Sequence, residues 1–502
     1  MDRPGPLTGK RMSPPSRYVD ALRRHTTPWT LLVLAAVAAG LALRAAVLAS
    51  PLGALESDEA IVGLMARRAL DGDVSVFYWG ALYGGTQEAL LSAAVFAVTG
   101  SSVLVLKLVS LSIYALAGVL TWRVGRRTVG EPAARIGAAL FWIWPPFLVW
   151  WSTKARGYFG SGLVLGLFAL LLVLRLHARP TRRDAALLGF VLGLGIWATL
   201  QTFLLALPAL AWLVWRRVDV VRLVPFAIPP AIVGAAPWLV WNARNGWNAV
   251  LPQSIAGADT SYLGRLADLF GTVLPTWLGL RTSYSLDWVT GRPVGVALLV
   301  LAVAGFVVIT IRRPPRSELL AVTALAFPFL YAASSFTFFL LEPRYLVFIA
   351  PVPALLVGSW IARSGLVISA AALLAAAGLS VTGLVLIERQ GGYRALAEDA
   401  RVPTNIAPLL ALLEREHANR VLANYWIAYR ISFESRERVV ATSTGFVRDQ
   451  RSDRLVRRTA HPARVYVVGA AAEARARPDL ERRGFRRLTA GGFVVYVFGR
   501  PA

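Results

Sequence analysis

A group of carboxylates follows the first long apolar run of the chain, in the stretch ESDEAIVGLMARRALDG. It contains Glu56, Asp58 and Glu59. A carboxylate held where a membrane meets water is suited to act as a general base toward a substrate embedded in the bilayer. Acids at a helix N-terminus also favour the helix dipole while they face water, and this simpler explanation stays open. The apolar spacing that follows predicts a short amphipathic helix on the membrane surface.

A second acidic position lies in the stretch FYWGALYGGTQEALL, where Gln87 and Glu88 begin an apolar helix. The paired glycines before it allow a close approach of the backbone to another group. Thr86 is also placed to cap this helix, with Glu88 serving only its first turn. The residues alone therefore leave a functional and a structural role for Glu88 equally open.

Three cations stand where the predicted outer loops otherwise have few positive charges. Lys154 and Arg156 lie in WWSTKARGYF, and Arg344 lies in LLEPRYLVF. A cation at membrane depth costs about 2.5 to 3.5 kcal/mol on insertion scales, so it usually has an anionic partner. Phosphate is the partner that best fits these side chains. Snorkelling to lipid headgroups, or pairing with Glu342 or Asp58, are the alternatives.

The chain lacks the short motifs of several other enzyme classes. It has no GxxxxGK[ST] phosphate loop, no HExxH zinc motif and no GxSxG elbow. It has no cysteine, and its four histidines are far apart in sequence. This excludes disulfides, thiolate metal sites and a cysteine nucleophile. Outward acids and cations without a nucleotide motif together suggest chemistry on a lipid-linked phosphate substrate.

The composition indicates a polytopic membrane protein. Of 502 residues, 56% are hydrophobic, and they form long apolar segments that the available polar residues cannot cover. The formal net charge is +25. Most arginines fall in short runs between apolar segments, as expected for cytoplasmic loops, so topology explains the charge and nucleic acid is not a predicted partner.

The apolar segments predict an all-α membrane region of about 11 to 13 helices. About 20 apolar residues cross a hydrocarbon core of roughly 30 Å. Gln201 and Thr202 lie at the bend between two short spans in 185–215, and the segment 86–100 is predicted to be a short, tilted or interfacial helix. The other predicted spans are 29–50, 103–122, 133–150, 159–177, 222–241, 293–311, 318–336, 345–361 and 364–387.

The distribution of Lys and Arg predicts eleven crossings, with the N-terminus inside and the C-terminus outside. Residues 1–28 form the basic cytoplasmic start, and residues 29–387 form the membrane domain with outer loops 51–87 and 242–293. Residues 388–502 change character: RVYVVG and GGFVVYVF read as strands, and RARPDLERRGFRRL reads as a helix. A small extracytoplasmic α/β domain is predicted there.

Several stretches resemble the polytopic glycosyltransferases of the GT-C fold, in particular the bacterial relatives of protein O-mannosyltransferases and of the lipid A aminoarabinose transferase. The similar stretches cover most of the chain and occur in the family's order. They are SDEAIVGLMARRALDG, YGGTQEALLSAAVFAVTG with SSVLVLKL, STKARGYF, EPRYLVFIAPVP and NYWIAYRISFESRERVVATS. Two departures are Lys107, where relatives often have arginine, and YGGTQE, where many have a proline pair.

The resemblance implies an inverting transfer of a sugar from a polyprenyl-phosphate carrier, on the outer side of a bacterial plasma membrane. Asp58 would be the base that takes the proton of the acceptor hydroxyl, and Glu59 would orient the site or the acceptor. Phosphate-binding candidates are Arg156 and Arg344, with Lys154, supported by Tyr158 and Tyr345. Gln87 and Glu88 are candidates for contact with the acceptor or a metal.

The resemblance implies no certain cofactor, and a divalent metal stays open because metal dependence varies across this fold. Expected partners are the polyprenyl-phosphate sugar, membrane lipids and an acceptor that is a glycan, a lipid or a protein. A transporter or flippase of lipid-linked sugars is the main alternative, although no internal repeat supports it. A non-catalytic membrane scaffold is a weaker alternative, because it gives no reason to gather acids and cations on one side.

Overall fold

The computed structural model describes residues 28–250, 260–334 and 339–499, and apolar helices make up most of the part before residue 390. The basic start predicted for residues 1–28 lies almost wholly outside these ranges. In chain order the helices of this part are α1 (Pro28–Ala49), α2 (Ser57–Leu70), α3 (Gln87–Thr99), α4 (Val103–Thr128), α5 (Glu131–Ile143), α6 (Pro146–Trp151), α7 (Tyr158–Ala178), α8 (Arg182–Ala198), α9 (Phe203–Arg216), α10 (Val224–Arg244), α11 (Tyr262–Asp268), α12 (Leu274–Trp277), α13 (Arg292–Ile311), α14 (Glu318–Ala333), α15 (Pro351–Arg363) and α16 (Leu366–Gln390).

Seven helices in the described ranges are long and apolar enough to cross a membrane: α1, α4, α7, α10, α13, α14 and α16. The spans counted for α10 and α14 include the 3₁₀ turns that precede them, and α14 reaches span length only with its turn. Shorter helices such as α3 and α9 are also apolar. The chain is therefore a helical, polytopic membrane protein, while the eleven crossings and their orientation remain predictions.

Three predicted segments can be compared directly with the helices. Residues 133–150 form two helices rather than one, because Pro145 and Pro146 lack backbone N–H donors and restrict the residue before each of them. The predicted bend between α8 and α9 is present as a 3₁₀ turn over Leu200–Thr202. Helix α3 has 13 residues, which confirms a helix too short for a normal span.

The amphipathic helix predicted at the membrane surface is present as α2, but its surroundings differ from the prediction. Ten of its 14 residues are buried, including Ile61 and Val62 on neighbouring faces. One side packs on α3, and another packs on a helix of the C-terminal region. Its apolar residues are thus buried against protein, while its position at the membrane surface remains a prediction.

The C-terminal region forms a mixed α/β layer, as predicted. The strands of its main sheet lie in the order β4-β3-β5-β7-β6, with β3 parallel to β4 and β5, and β7 antiparallel to β5 and β6. The elements of this region are β1 (Leu396–Ala397), β2 (Ala400–Arg401), α17 (Ala407–Arg415), β3 (Arg420–Ala423), α18 (Tyr425–Glu434), β4 (Val440–Ser443), α19 (Gln450–Arg457), β5 (Ala463–Val467), α20 (Ala471–Arg482), β6 (Phe485–Ala490) and β7 (Phe493–Phe498).

The two strands predicted at RVYVVG and GGFVVYVF correspond to β5 and β7. The predicted helix over residues 475–488 is too long, because α20 ends at Arg482 and strand β6 begins at Phe485. Gly484 has a φ of +86°, a left-handed conformation that glycine adopts without strain and that ends the helix. The arginines that follow are therefore strand residues.

Helix α18 connects the α/β layer to α2 through close contacts along both helices. A side-chain carbon added at Gly63 would lie 2.4 Å from the ring of Phe433, so the packing requires glycine there. Ser57 Oγ donates to the backbone oxygen of Tyr425 at 2.7 Å. Arg67 Nη2 donates to the backbone oxygen of Phe433 at 2.8 Å. The layer is therefore fixed to α2 at both ends of α18.

We expect Gly63→Val to weaken this contact, because overpacking a tight interface costs about 1 to 3 kcal/mol. The purified variant should unfold at a lower temperature in detergent, and a protease should release the α/β layer faster. Gly378→Val is a matched control, since an added side chain at Gly378 in α16 meets no atom within 4 Å. Equal behaviour of the two variants would contradict the importance of this packing.

Candidate active site

Asp58 lies in the first turn of α2 and is the carboxylate of the acidic cluster that solvent reaches best. Its side chain is 27% exposed, against 14% for Glu56 and 0% for Glu59. Its Oδ2 is 3.1 Å from Nη1 of Arg156. Its Oδ1 accepts a hydrogen bond from the hydroxyl of Tyr425. The acid predicted as base and the first predicted phosphate ligand are therefore in direct contact.

Glu59 points into the protein, away from the exposed side of Asp58. Its Oε1 lies 2.6 Å from Nζ of Lys107, and its Oε2 lies 3.3 Å from Nζ of Lys154. The backbone N–H groups of Ala155 and Glu56 each donate to it at 3.1 Å. Burial alone would raise the pKa of Glu59, but the two lysines and Arg156 lower it instead. A charged, fully enclosed carboxylate of this kind organises the site without touching a substrate.

Lys154 is also used internally, which does not support the prediction that it contacts phosphate. Its Nζ lies 2.9 Å from Glu56 Oε1 and 3.3 Å from Glu59 Oε2, and it donates to the backbone oxygen of Ala54 at 3.0 Å. Two of its N–H groups donate to Ala54 and Glu59, and the contact with Glu56 is an ion pair. The side chain is only 1% exposed.

Arg156 connects the buried cluster with the exposed acid. Its Nη2 pairs with Glu56, and its Nη1 pairs with Asp58. The guanidinium lies 4.8 Å from the ring centroid of Trp151, and its Nε has no hydrogen-bond partner. Burial would lower the pKa of Arg156, but the surrounding carboxylates raise it above its usual value. The group therefore stays charged beside Asp58.

Arg344 is paired much more loosely than Arg156. Among the described residues, the closest carboxylate oxygen belongs to Glu342, at 3.9 Å from Nη1, and Nε has no hydrogen-bond partner there. The side chain is 23% exposed. The charge of Glu342 raises the pKa of both Arg156 and Arg344. Arg344 is thus a partly exposed cation without a close carboxylate partner.

Tyr158 and Tyr345 lie near Arg344. Tyr158 begins α7 and interacts electrostatically with both Asp58 and Arg344. The ring of Tyr345 lies 5.4 Å from the Arg344 guanidinium carbon. Gly84, with a φ of +77°, packs so closely on Tyr158 that an added side-chain carbon would lie 2.2 Å from its ring. The first glycine of the pair therefore packs on Tyr158, whereas Gly85 packs on the backbone oxygen of Trp197 and the side chain of Gln87.

Gln87 and Glu88 lie apart from the exposed side of Asp58. Glu88 is 1% exposed, its Oε1 has no hydrogen-bond partner, and both polar atoms of the Gln87 side chain also lack one. Glu88 interacts with Glu59 and Arg156, so it lies behind the site. Within the described ranges no three His, Cys, Asp or Glu side chains cluster to hold a metal. Acceptor or metal contact by these residues remains a prediction.

Several residues at the site were absent from the sequence-based set. Glu56 accepts a hydrogen bond from Arg156 and forms an ion pair with Lys154, and together with Glu59 it forms a capping box at the start of α2. Tyr425 comes from the α/β layer, 367 residues after Asp58, and no local pattern predicts that contact. The same holds for Arg448, which contacts Tyr425.

Comparisons with known proteins support the fold. No family model matches the chain, and no curated protein matches its sequence. Among solved structures, ArnT from Cupriavidus metallidurans bound to undecaprenyl phosphate has a TM-score of 0.61 and 14% identity, covering 93% of this chain and 99% of that one. The oligosaccharyltransferase of Archaeoglobus fulgidus in complex with zinc and sulfate has a TM-score of 0.51 and 13% identity, covering 93% of this chain and 73% of that one.

The apo structure of the same ArnT matches equally well, with a TM-score of 0.60 over 88% of this chain. The matches extend over both the membrane helices and the α/β layer, since each covers most of the described residues. At such low sequence identity the likeness concerns architecture. The chain therefore has the GT-C fold, as its resemblance to these glycosyltransferases predicted.

Proposed function

We propose that this protein is an inverting glycosyltransferase that moves a sugar from a polyprenyl-phosphate carrier to an acceptor hydroxyl on the outer side of the membrane. One observation carries the proposal: a partly exposed carboxylate, Asp58, is paired with Arg156 beside a loosely paired Arg344. The GT-C fold supports it, as does a similar protein solved with bound undecaprenyl phosphate.

In the proposed reaction Asp58 accepts the proton of the acceptor hydroxyl. The acceptor oxygen then forms a bond to the anomeric carbon while the bond from that carbon to the phosphate oxygen breaks. One displacement on the opposite face inverts the configuration. The bonding electrons leave with the carrier, whose phosphate changes from a diester to a monoester and gains negative charge. General-base assistance of this kind contributes roughly 10² to 10⁴ in rate.

Arg344 is the side chain best placed to receive the growing phosphate charge. Its nearest carboxylate oxygen lies 3.9 Å away, whereas Arg156 is already held by Glu56 and Asp58. A fixed guanidinium stabilises a developing anion without reorganising, and this electrostatic contribution is often the largest in catalysis. Tyr158 and Tyr345 complete the wall beside it.

The buried ion cluster has a different role in this proposal. Glu59 connects α2 through Lys107 to α4 and through Lys154 to the loop that carries Arg156. These contacts hold Asp58 and Arg156 at their 3.1 Å separation. We therefore propose that Glu59 and Lys154 position the reacting groups and do not contact the donor.

Replacing Asp58 with asparagine should abolish transfer while folding persists, because the amide keeps the shape but cannot accept a proton. We expect a loss of about 10² to 10⁴ in the release of lipid phosphate from radiolabelled polyprenyl-phosphate sugars, tested as a panel. Asp71→Asn, at the exposed end of α2, is the matched control and should keep normal turnover.

Normal turnover by Asp58→Asn would remove this residue from the role of base. A wild-type protein that carries intact lipid-linked sugars across vesicle membranes, without cleaving them, would instead support the transporter alternative.

Arg344 and Lys154 should respond to substitution in opposite ways. Arg344→Ala should lower turnover by about 10² to 10³, the usual cost of one transition-state donor, with little change in unfolding temperature. Lys154→Met should destabilise the protein by about 3 to 5 kcal/mol, because Glu56 and Glu59 lose a buried counter-charge. Thermal unfolding in detergent and lipid phosphate release, measured in parallel on both variants, check these two expectations. A Lys154→Met variant that is stable but inactive would contradict the internal, positioning role of Lys154.

A further inference from the structure

The α/β layer contributes a side chain to the immediate surroundings of Asp58. Tyr425, the first residue of α18, donates its hydroxyl hydrogen to Oδ1 of Asp58. Arg448 Nε donates to the hydroxyl oxygen of Tyr425 at 3.3 Å. The Arg448 Nη1 in turn donates to the backbone oxygen of Trp79 at 3.1 Å. A chain of hydrogen bonds therefore runs from the loop after β4 to the carboxylate.

The two oxygens of the carboxylate are held from different parts of the molecule. Oδ2 is held by Arg156, next to the membrane helices, and Oδ1 is held by Tyr425, from the α/β layer. The hydroxyl of Tyr78 donates to the backbone oxygen of Asp58 at 3.0 Å and lies 3.5 Å from Oδ1. An ionised carboxylate has about four acceptor positions, so a hydroxyl of the acceptor still finds room.

We propose that Tyr425 is a positioning residue for Asp58, so that the site is complete only when the α/β layer is docked on α2. This inference rests on the proposed function, because it assigns Tyr425 a role in aiming the base. By bonding Oδ1 while Arg156 bonds Oδ2, Tyr425 fixes the rotation of the carboxylate. A general base works only within hydrogen-bonding reach of the proton that it removes, so this rotation matters for the rate.

The position of Tyr425 is itself well determined. Its backbone oxygen accepts from Ser57 Oγ at 2.7 Å, and the side chain of Asn424 caps α18 by accepting from the N–H of Trp426. Burial raises the pKa of Tyr425, and the charge of Asp58 raises it further, while Arg448 lowers it. The hydroxyl therefore stays protonated and acts as a donor to the carboxylate over the whole range in which a carboxylate titrates.

Several charged or titratable groups face Asp58 besides Tyr425. The loop after α6 provides Arg156, and the loop before α3 provides Tyr78. The α/β layer provides Tyr425 and Arg448, and α7 provides Tyr158. The neighbours on the chain itself are Glu56 and Glu59.

The substitution Tyr425→Phe in the full-length protein tests the proposal, because it removes only the hydroxyl group that bonds Asp58. The readout is the pH dependence of lipid phosphate release, with whichever polyprenyl-phosphate sugar of the panel the wild type cleaves. We expect kcat to fall about tenfold, because a catalytic group is less well oriented. Losing a donor disfavours the charged carboxylate, so the acidic limb of the profile should move upward by about 0.5 to 1 pH unit. Arg448→Met should move it in the same direction by less.

Tyr429→Phe is the matched control from the same helix. Its hydroxyl accepts from the backbone N–H of Arg448 at the same interface but makes no contact with Asp58. We expect the acidic limb of its pH profile to coincide with that of the wild type, even if the substitution lowers the stability of the protein. An unmoved limb and unchanged kcat in Tyr425→Phe, or equal changes in both variants, would overturn the positioning role. A wild type that cleaves no donor in the panel would instead overturn the proposed function on which it rests.

Discussion

The buried ion cluster around Glu59 is the interaction on which the site depends. A carboxylate with no solvent contact is costly unless cations and hydrogen bonds surround it, and here Lys107 and Lys154 supply the charge. Removing either cation would leave the buried charge of Glu59 less well compensated. The three side chains belong to α2, to α4 and to the loop after α6. Satisfying one carboxylate therefore fixes three segments relative to one another.

Adjacent residues in the sequence consequently serve opposite purposes. Successive positions on a helix point about 100° apart, so Asp58 and Glu59 cannot face the same surroundings. Glu59 faces the lysines, and Asp58 faces solvent beside Arg156. The cations divide in the same way, because Lys154 is enclosed by carboxylates while Arg344 keeps an unused donor. In the proposed mechanism, a single short motif thus supplies both the supporting carboxylate and the reactive one.

The sequence was sufficient for those parts that depend on local pattern. Apolar length predicted the helices of the membrane region, and alternation predicted strands β5 and β7. The resemblance predicted the fold, which the structural matches confirm. Contacts between distant segments were not predictable: burial of α2 beneath α18, the internal use of Lys154, and the bond from Tyr425. Each of these contacts depends on which distant segments lie next to each other in the fold, and the spacing of residues along the chain does not predict that.

The glycine at position 63 limits how the α/β layer of this protein can be combined with the membrane helices of another. The ring of Phe433 occupies the volume where any larger residue would lie, so α2 and α18 fit each other as a matched pair. A chimera that borrows its extramembrane layer from another protein would meet an unmatched surface unless α2 came with it. The α/β layer can therefore be exchanged between proteins only together with α2, the helix that bears Asp58.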